Sequence, residues 1–337
     1  MSSGTSGQVG RRRVRRVVVP VVVTVLVAVG VCLGVTAFTL LLPAVRADAV
    51  PVRTTPDSCT GHQLQMVAHP DDDLLFMNPD IIREVERGAC VRTVFLTTGD
   101  ANRDASYWRL REDGIRAAYA TMAGADDSWT PGTLVVEGHE LEMSTLDDAP
   151  GITLVFMHLP DGNRRGTGNA IHQHQSLMRL WLGEIDAIDA VDGSTSYTSG
   201  DLRRTLTALI DDFHTDTLRA QDWTMDFRTG DNADHTAAAR YVRAAAAQSV
   251  SSHRLLAYAG YPSWTQPANV NGRDLGLKAD ALMAYAEHDP KFCAQLQCVE
   301  SLVTAIRNGR QYVVVREALG LDVGKVMGRA TRERRPG

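Results

Sequence analysis

The chain has 337 residues, 44% hydrophobic and 22% charged, with a formal net charge of −5, a balance that suits a folded domain and excludes a disordered or collagen-like chain. Setting aside residues 1–46 removes six of the 35 basic residues and no acid, leaving 29 basic against 40 acidic residues. A body with a net charge of −11 argues against a nucleic-acid partner and against docking on an anionic lipid surface.

The first predicted element follows the basic run RRRVRR, Arg11 to Arg16. The next 29 residues, Val17 to Val45, carry no charge, long enough to cross a bilayer. The basic flank should remain in the cytoplasm, so residues 1–46 read as a single-pass anchor in the cell membrane with the following domain extracellular. Small residues at Val45 to Ala49 leave cleavage and secretion as the alternative. Residues 47–61 read as a linker. Four cysteines lie outside the apolar segment. Cys59–Cys90 and Cys293–Cys298 are the favoured pairs, because the first two precede neighbouring strands and the last two are local. Four free thiols are the other possibility, and no zinc-ribbon spacing is present.

From there, strand and helix signals alternate. Leu64 to Ala68 reads as a strand. NPDIIREVERG reads as a helix with Asn78 as N-cap, Pro79 in first position and Gly88 as terminator. Val91 to Gly99 is β-rich, and Tyr107 to Gly124 is a helix ending in glycine. TLVV and ITLVFMHLP are strands, and Asp201 to Phe213 is amphipathic at helical spacing. TLRAQD is a short strand, followed by the alanine-rich helix ADHTAAARYVRAAAAQ. RLLAYAG and QYVVVRE are late strands, with helices near Ala279 and Leu302 between them. This alternation predicts an α/β domain over residues 62–320. The expected fold is Rossmann-like, a mostly parallel sheet with helices on both faces and ligands at the C-terminal ends of the strands. A polar, basic tail follows at 321–337. Residues 160–200, with 260–275, are the expected pocket walls.

Two acidic-histidine clusters fall where such a sheet binds ligands. His69 to Asp73 follows the first strand. An imidazole packed among carboxylates calls for a compensating cation, and a divalent metal such as zinc fits those donors. Pro70 lets His69 and Asp72 face one point while Asp71 points elsewhere, free to act as a base. Asp234 and His235 open the helix after a later strand and offer a third ligand, with Asp234 able to hold a ring in its working tautomer. The plainer reading of both clusters is helix capping. Arg111 falls on the apolar stripe of its helix, so it is either buried against a carboxylate, with Glu112 adjacent, or reaches into the site. Asp161, in LPDGN, is either a turn residue or a pocket-edge carboxylate.

AHPDDD (Ala68 to Asp73) with the later Asp234-His235 resembles the PIG-L/LmbE-like de-N-acetylases. The resemblance extends through LTTGD, RLREDGIRAAYATMAG and LPDG, over roughly residues 62–315. It implies zinc, or another divalent metal, held by His69, Asp72 and His235. It implies Asp71 as the general base that generates hydroxide, Asp234 as the catalytic aspartate beside the last ligand, and Arg111 as a substrate contact. The implied substrate is a glycan, glycolipid or small molecule bearing an N-acetylated amino sugar. Two positions depart from the family pattern. Asp73 stands where a glutamate is usual, and NADH places Asn232 where the family has a histidine. Asn232 can bind substrate but cannot act as an acid near neutral pH, so either Asp71 makes both proton transfers or another histidine substitutes. The alternative to an enzyme is a metal-binding, catalytically weak or inactive carbohydrate-binding homologue. A third, a calcium-stabilised surface protein, fits poorly because calcium avoids imidazole.

Overall fold

The computed structural model describes residues 58–292 and 309–320, within the compact unit Ala47–Gly337. The apolar segment, Cys32, the Cys293–Cys298 pair, the helix near Leu302 and the basic tail lie outside the described residues. Among those described, no helix is long and apolar enough to cross a membrane.

The strands are β1 His62–Val67, β2 Cys90–Thr97, β3 Trp129–Val136, β4 His139–Leu146, β5 Ile152–Leu159, β6 Ala187–Asp189, β7 Ser196–Thr198, β8 Thr217–Gln221, β9 His253–Tyr258 and β10 Val313–Leu319. The helices are α1 Asp72–Phe76, α2 Asp80–Glu86, α3 Ala105–Ala123, α4 Leu177–Trp181, α5 Ser199–Asp212, α6 Ala233–Ala246 and α7 Gly272–Ala286. Eight strands form one sheet in the order β10-β9-β8-β1-β2-β5-β4-β3, and β6 pairs with β7. The five strands from β9 to β5 are parallel. Antiparallel strands close both edges. The fold is therefore the expected α/β architecture.

The strand order explains where a ligand should sit. From β1 the chain builds outward through β2 and β5, then returns to the other side of β1 with β8 and β9. The order reverses between β1 and β8, and crevices in open parallel sheets form at such a reversal. The segments leaving β1 and β8 are the two acidic-histidine clusters.

Apolar side chains cover both faces. Leu177, Leu202, Leu206 and Tyr241 belong to one buried cluster. Leu74, Ile81, Ile115 and Tyr285 belong to the other. Cys59 and Cys90 form a disulfide with a Cα–Cα distance of 5.3 Å, joining the approach to β1 to the start of β2.

Three local expectations need correction. Helix α2 begins at Asp80 with Pro79 at its cap and no side-chain capping bond; Asn78 instead turns inward and donates to Met122 Sδ at 3.3 Å. The strand β4 escaped the sequence reading because His139–Leu146 interleaves Glu140 and Glu142 with apolar residues on a half-buried strand. β3 starts earlier than TLVV, at Trp129, and its Pro131 is tolerated because β3 is an edge strand. Residues 160–200 are an ordered excursion that carries α4 and the β6–β7 pair.

Candidate active site

At the C-terminal edge of β1 and β8, one donor atom from each of His69, Asp72 and His235 lies within 4.8 Å of the others. His69 Nδ1 is 3.1 Å from Asp72 Oδ2, and His235 Nε2 is 3.0 Å from Asp72 Oδ1. All three residues are buried. Gln221, the last residue of β8, donates to Asp72 Oδ2 at 2.7 Å, as does the His69 backbone N–H, also at 2.7 Å. Asp72 Oδ2 is thus held by the protein, while Oδ1 faces His235.

The His235 ring carries the strongest indication of a cation. Its Nδ1 lies 2.8 Å from Asp231 Oδ1, an acceptor, so the proton belongs on Nδ1. Nε2 then aims a lone pair at Asp72 Oδ1, and this buried nitrogen has no hydrogen-bond partner. Two buried acceptors at contact distance need a positive charge between them. A proton would serve: burial favours the neutral ring, but Asp72 and Asp231 outweigh it and raise its pKa to about 10. A divalent metal meets the same need and also engages His69. Two imidazoles and a carboxylate are a recurrent donor set for catalytic zinc, with room for a further ligand. The residues present therefore fit a metal.

Asp71 points away from this set. It caps α1 with φ 132°, a conformation costly for a residue with a side chain. That turn brings its carboxylate within 2.9 Å of Arg111 Nη2. Burial pushes the Asp71 pKa up to about 7, with Arg111 and His69 acting to lower it and Asp72 to raise it. Arg111 is itself buried among protein acceptors. Nη1 donates to Gly99 O at 2.6 Å, Nη2 to Pro70 O at 2.6 Å and Nε to Tyr285 Oη at 2.7 Å. Asp289 is 3.2 Å from Nε. Gly99 makes this possible, because a Cβ there would overlap Arg111 Nη1. The acid beside Arg111 is thus not Glu112, which instead faces His158 and Arg109.

The other expected site residues divide. Asp234 does not steady His235; Asp231 does. Asp234 Oδ2 accepts from Gly162 N at 2.7 Å and lies 3.4 Å from His69 Nε2, so its neighbour is the first histidine. Asn232 is the N-cap of α6, its Oδ1 accepting from Asp234 N at 2.9 Å. Asp161 fulfils both readings: it accepts from Asn163 N at 2.6 Å and Ala101 N at 3.1 Å, and it lines the cavity. Asp73 is neither cap nor solvated. It is fully buried and accepts from Tyr119 Oη at 2.6 Å, and burial raises its pKa to about 7.

His69, Asp71, Arg111, Asp161, Asn232 and Tyr261 share the wall of one cavity of about 170 Å³. Lys291 faces it too, a cation missed because it lies far from any motif. Asp231, four residues before His235 and just outside α6, was likewise not singled out from the sequence. Among the described residues, none of His139, His158, His172, His174, His214 or His288 lines this cavity.

A protein-family model described as PIG-L: GlcNAc-PI de-N-acetylase matches residues 64–246. No curated protein matches the chain. Among solved structures, the N,N'-diacetylchitobiose deacetylase from Pyrococcus horikoshii is similar at 13% identity and a TM-score of 0.43, over 77% of this chain and 84% of that one. The conserved protein TT1542 from Thermus thermophilus is similar at 17% identity and 0.39, over 71% and 86%. The teicoplanin deacetylase Orf2 is similar at 15% identity and 0.40, over 72% and 90%.

Proposed function

The chain belongs to the PIG-L (GlcNAc-PI de-N-acetylase) family, and from that membership we propose that it is a metal-dependent amide hydrolase. It removes the N-acetyl group from an amino-sugar-containing substrate outside the cytoplasm. The observation that carries the reading is the buried set of His69, Asp72 and His235, with Asp71 beside His69 on the wall of one cavity.

Zinc, held by those three residues, would polarise the amide carbonyl and acidify water in the cavity. Asp71 takes the proton from the attacking water and, once protonated, returns it to the departing nitrogen. Water adds across the C–N bond, and acetate and a free amine leave. A carboxyl group with a pKa near 7 suits both transfers. Arg111 holds Asp71 in place. With no substitute histidine on the cavity wall, Asp71 serves as both base and acid. The Cys59–Cys90 disulfide supports an oxidising, extracytoplasmic setting, and a membrane anchor in residues 1–46 belongs to the same proposal.

Asn232 favours a second reading, a metal-loaded carbohydrate-binding protein with little turnover. One experiment separates the two: quantify bound metal in residues 50–337 and follow acetate release from N-acetylated amino sugars, with Asp71→Asn alongside. Metal-dependent release that Asp71→Asn reduces by about 10²- to 10⁴-fold supports the hydrolase. Stoichiometric metal without release favours the binding protein, and folded protein that takes up no metal refutes the site.

A further inference from the structure

Lys291 faces the cavity but takes no part in the proton transfers assigned to Asp71. Its backbone is held by Asp289, a buried carboxylate just beyond α7. Asp289 Oδ1 accepts from Lys291 N at 2.8 Å, Phe292 N at 3.1 Å and Tyr107 Oη at 3.2 Å. Its Oδ2 accepts from Tyr285 Oη at 2.8 Å. The Phe292 ring packs edge-on against Tyr285, with centroids 5.3 Å apart. The turn that carries Lys291 is therefore fixed from α3 through Tyr107 and from α7 through Tyr285.

The ammonium group is not tied down in the same way. Lys291 Nζ lies 5.5 Å from the centroid of the Tyr107 ring, which also borders the cavity. Among the described residues, Nζ forms no ion pair and no hydrogen bond. The other cations on that wall are committed. Arg111 is held by Asp71, Gly99 O, Pro70 O and Tyr285, and His69 belongs to the candidate metal set. Partial burial lowers the Lys291 pKa from the usual lysine range; Arg103 and Arg111 act the same way, and Asp161 and Asp289 oppose them.

Adding water to an amide turns its carbonyl oxygen into an anion. A group that binds that oxygen more strongly as the charge grows lowers the barrier. Asp71, Asp161 and Asp289 would repel it. Asn232 and Tyr261 on the same wall are neutral, and a charged donor makes a hydrogen bond roughly twice as strong. In a cavity of about 170 Å³, the flexible stem of a lysine on the wall reaches a carbonyl bound beside Asp71.

We propose that Lys291 is a catalytic residue, its ammonium donating a hydrogen bond to the substrate's carbonyl oxygen as that oxygen becomes negative. Lys291 keeps its proton throughout, and both transfers stay with Asp71. The assignment rests on the deacetylase reading and adds to it a residue outside the matched family segment, residues 64–246.

The probes are the methyl glycoside of N-acetylglucosamine and its N-methylphosphonyl counterpart, whose tetrahedral anion stands where the hydrated amide would. Calorimetry would measure both against the zinc-loaded full chain, unsubstituted and with Lys291→Met or Lys291→Arg. The unsubstituted protein should prefer the phosphonyl probe by about 10²-fold or more. Lys291→Met should lower affinity for that probe by about 10- to 100-fold while leaving the N-acetyl glycoside within about twofold. Lys291→Arg should recover part of the loss, because it keeps the charge. In acetate release, Lys291→Met should lower kcat by about 10²-fold with KM and metal content unchanged, a split that a purely structural role would not produce. A phosphonyl preference that survives Lys291→Met would overturn the proposal. So would equal weakening of both probes, which would make Lys291 a contact to the unreacted substrate. No phosphonyl preference in the unsubstituted protein would instead sink the deacetylase reading and this inference with it, so the two failures are told apart.

Discussion

Asp231 offers the sharpest test of how the metal centre is built. Its Oδ1 accepts from His235 Nδ1 at 2.8 Å and from Asn232 N at 2.8 Å, and Gly260 gives it room, since a Cβ there would overlap the carboxylate. The carboxylate does two things to His235. It fixes the tautomer that presents Nε2 to Asp72, and it makes that nitrogen a better donor to a cation. Asp231→Asn keeps an acceptor of nearly the same shape but removes the charge, and its amide can present N–H to the ring instead. Asp231→Ala removes both functions and leaves a buried ring N–H unpaired. A partner of this kind is worth about 10- to 100-fold in metal affinity, or about 1.4–2.7 kcal/mol. The asparagine variant should lie at the lower end and the alanine variant at the upper. Competition against a fluorescent zinc chelator measures this directly, with circular dichroism confirming the fold. If both variants bind metal within twofold of the unsubstituted protein, Asp231 does not orient the ligand and the tautomer argument fails.

Further outcomes are expected elsewhere. His158 lies 2.8 Å from both Glu112 and Asp192; burial opposes its charge, but Asp192 and Glu112 raise its pKa to about 9. A raised folded-state pKa contributes stability that is fully present below about 6.5 and lost as pH rises through about 9. The melting-temperature gap between the unsubstituted protein and His158→Gln should therefore shrink between pH 6 and pH 9.5, and a gap independent of pH would refute the ion-pair account. Asn232→Ala should lower stability by about 0.5–2 kcal/mol through loss of the α6 cap, measured by urea denaturation; no change in midpoint would show that the cap contributes nothing. Replacing Cys59 and Cys90, 31 residues apart, with alanine should cost about 2–4 kcal/mol, read in the same assay without reductant. An unchanged midpoint would count against the disulfide as a stabilising link.

Much of the molecule could be read from its residues one segment at a time. Alternating apolar strands and glycine-ended helices announce a parallel α/β sheet because strand burial and helix caps are local demands. His69, Asp72 and His235 were readable for a related reason. Each lies at the end of a strand or the start of the following helix, and the C-terminal edge of a parallel sheet gathers such ends whatever their distance along the chain. The half-buried, Glu-bearing β4 escaped because its pattern is legible only once β3 and β5 flank it. The same limit governs the site. That Asp231 rather than Asp234 holds His235 depends on the direction the first turn of α6 faces, and that is set by its packing against β8. That Arg111 grips Asp71 and Asp289 rather than Glu112 depends on α7 docking against α3 and on the absence of a side chain at Gly99. Nor could composition show that Arg164, Arg165 and Arg228 share a cavity in an acidic protein. Their convergence comes from a backbone bond between the 160s loop and the start of α6, and from the Arg228 side chain donating to the Arg165 carbonyl in that loop. Chemistry carried by neighbours in sequence was visible from the start; chemistry that needs two distant loops to meet was decided by the fold that brings them together.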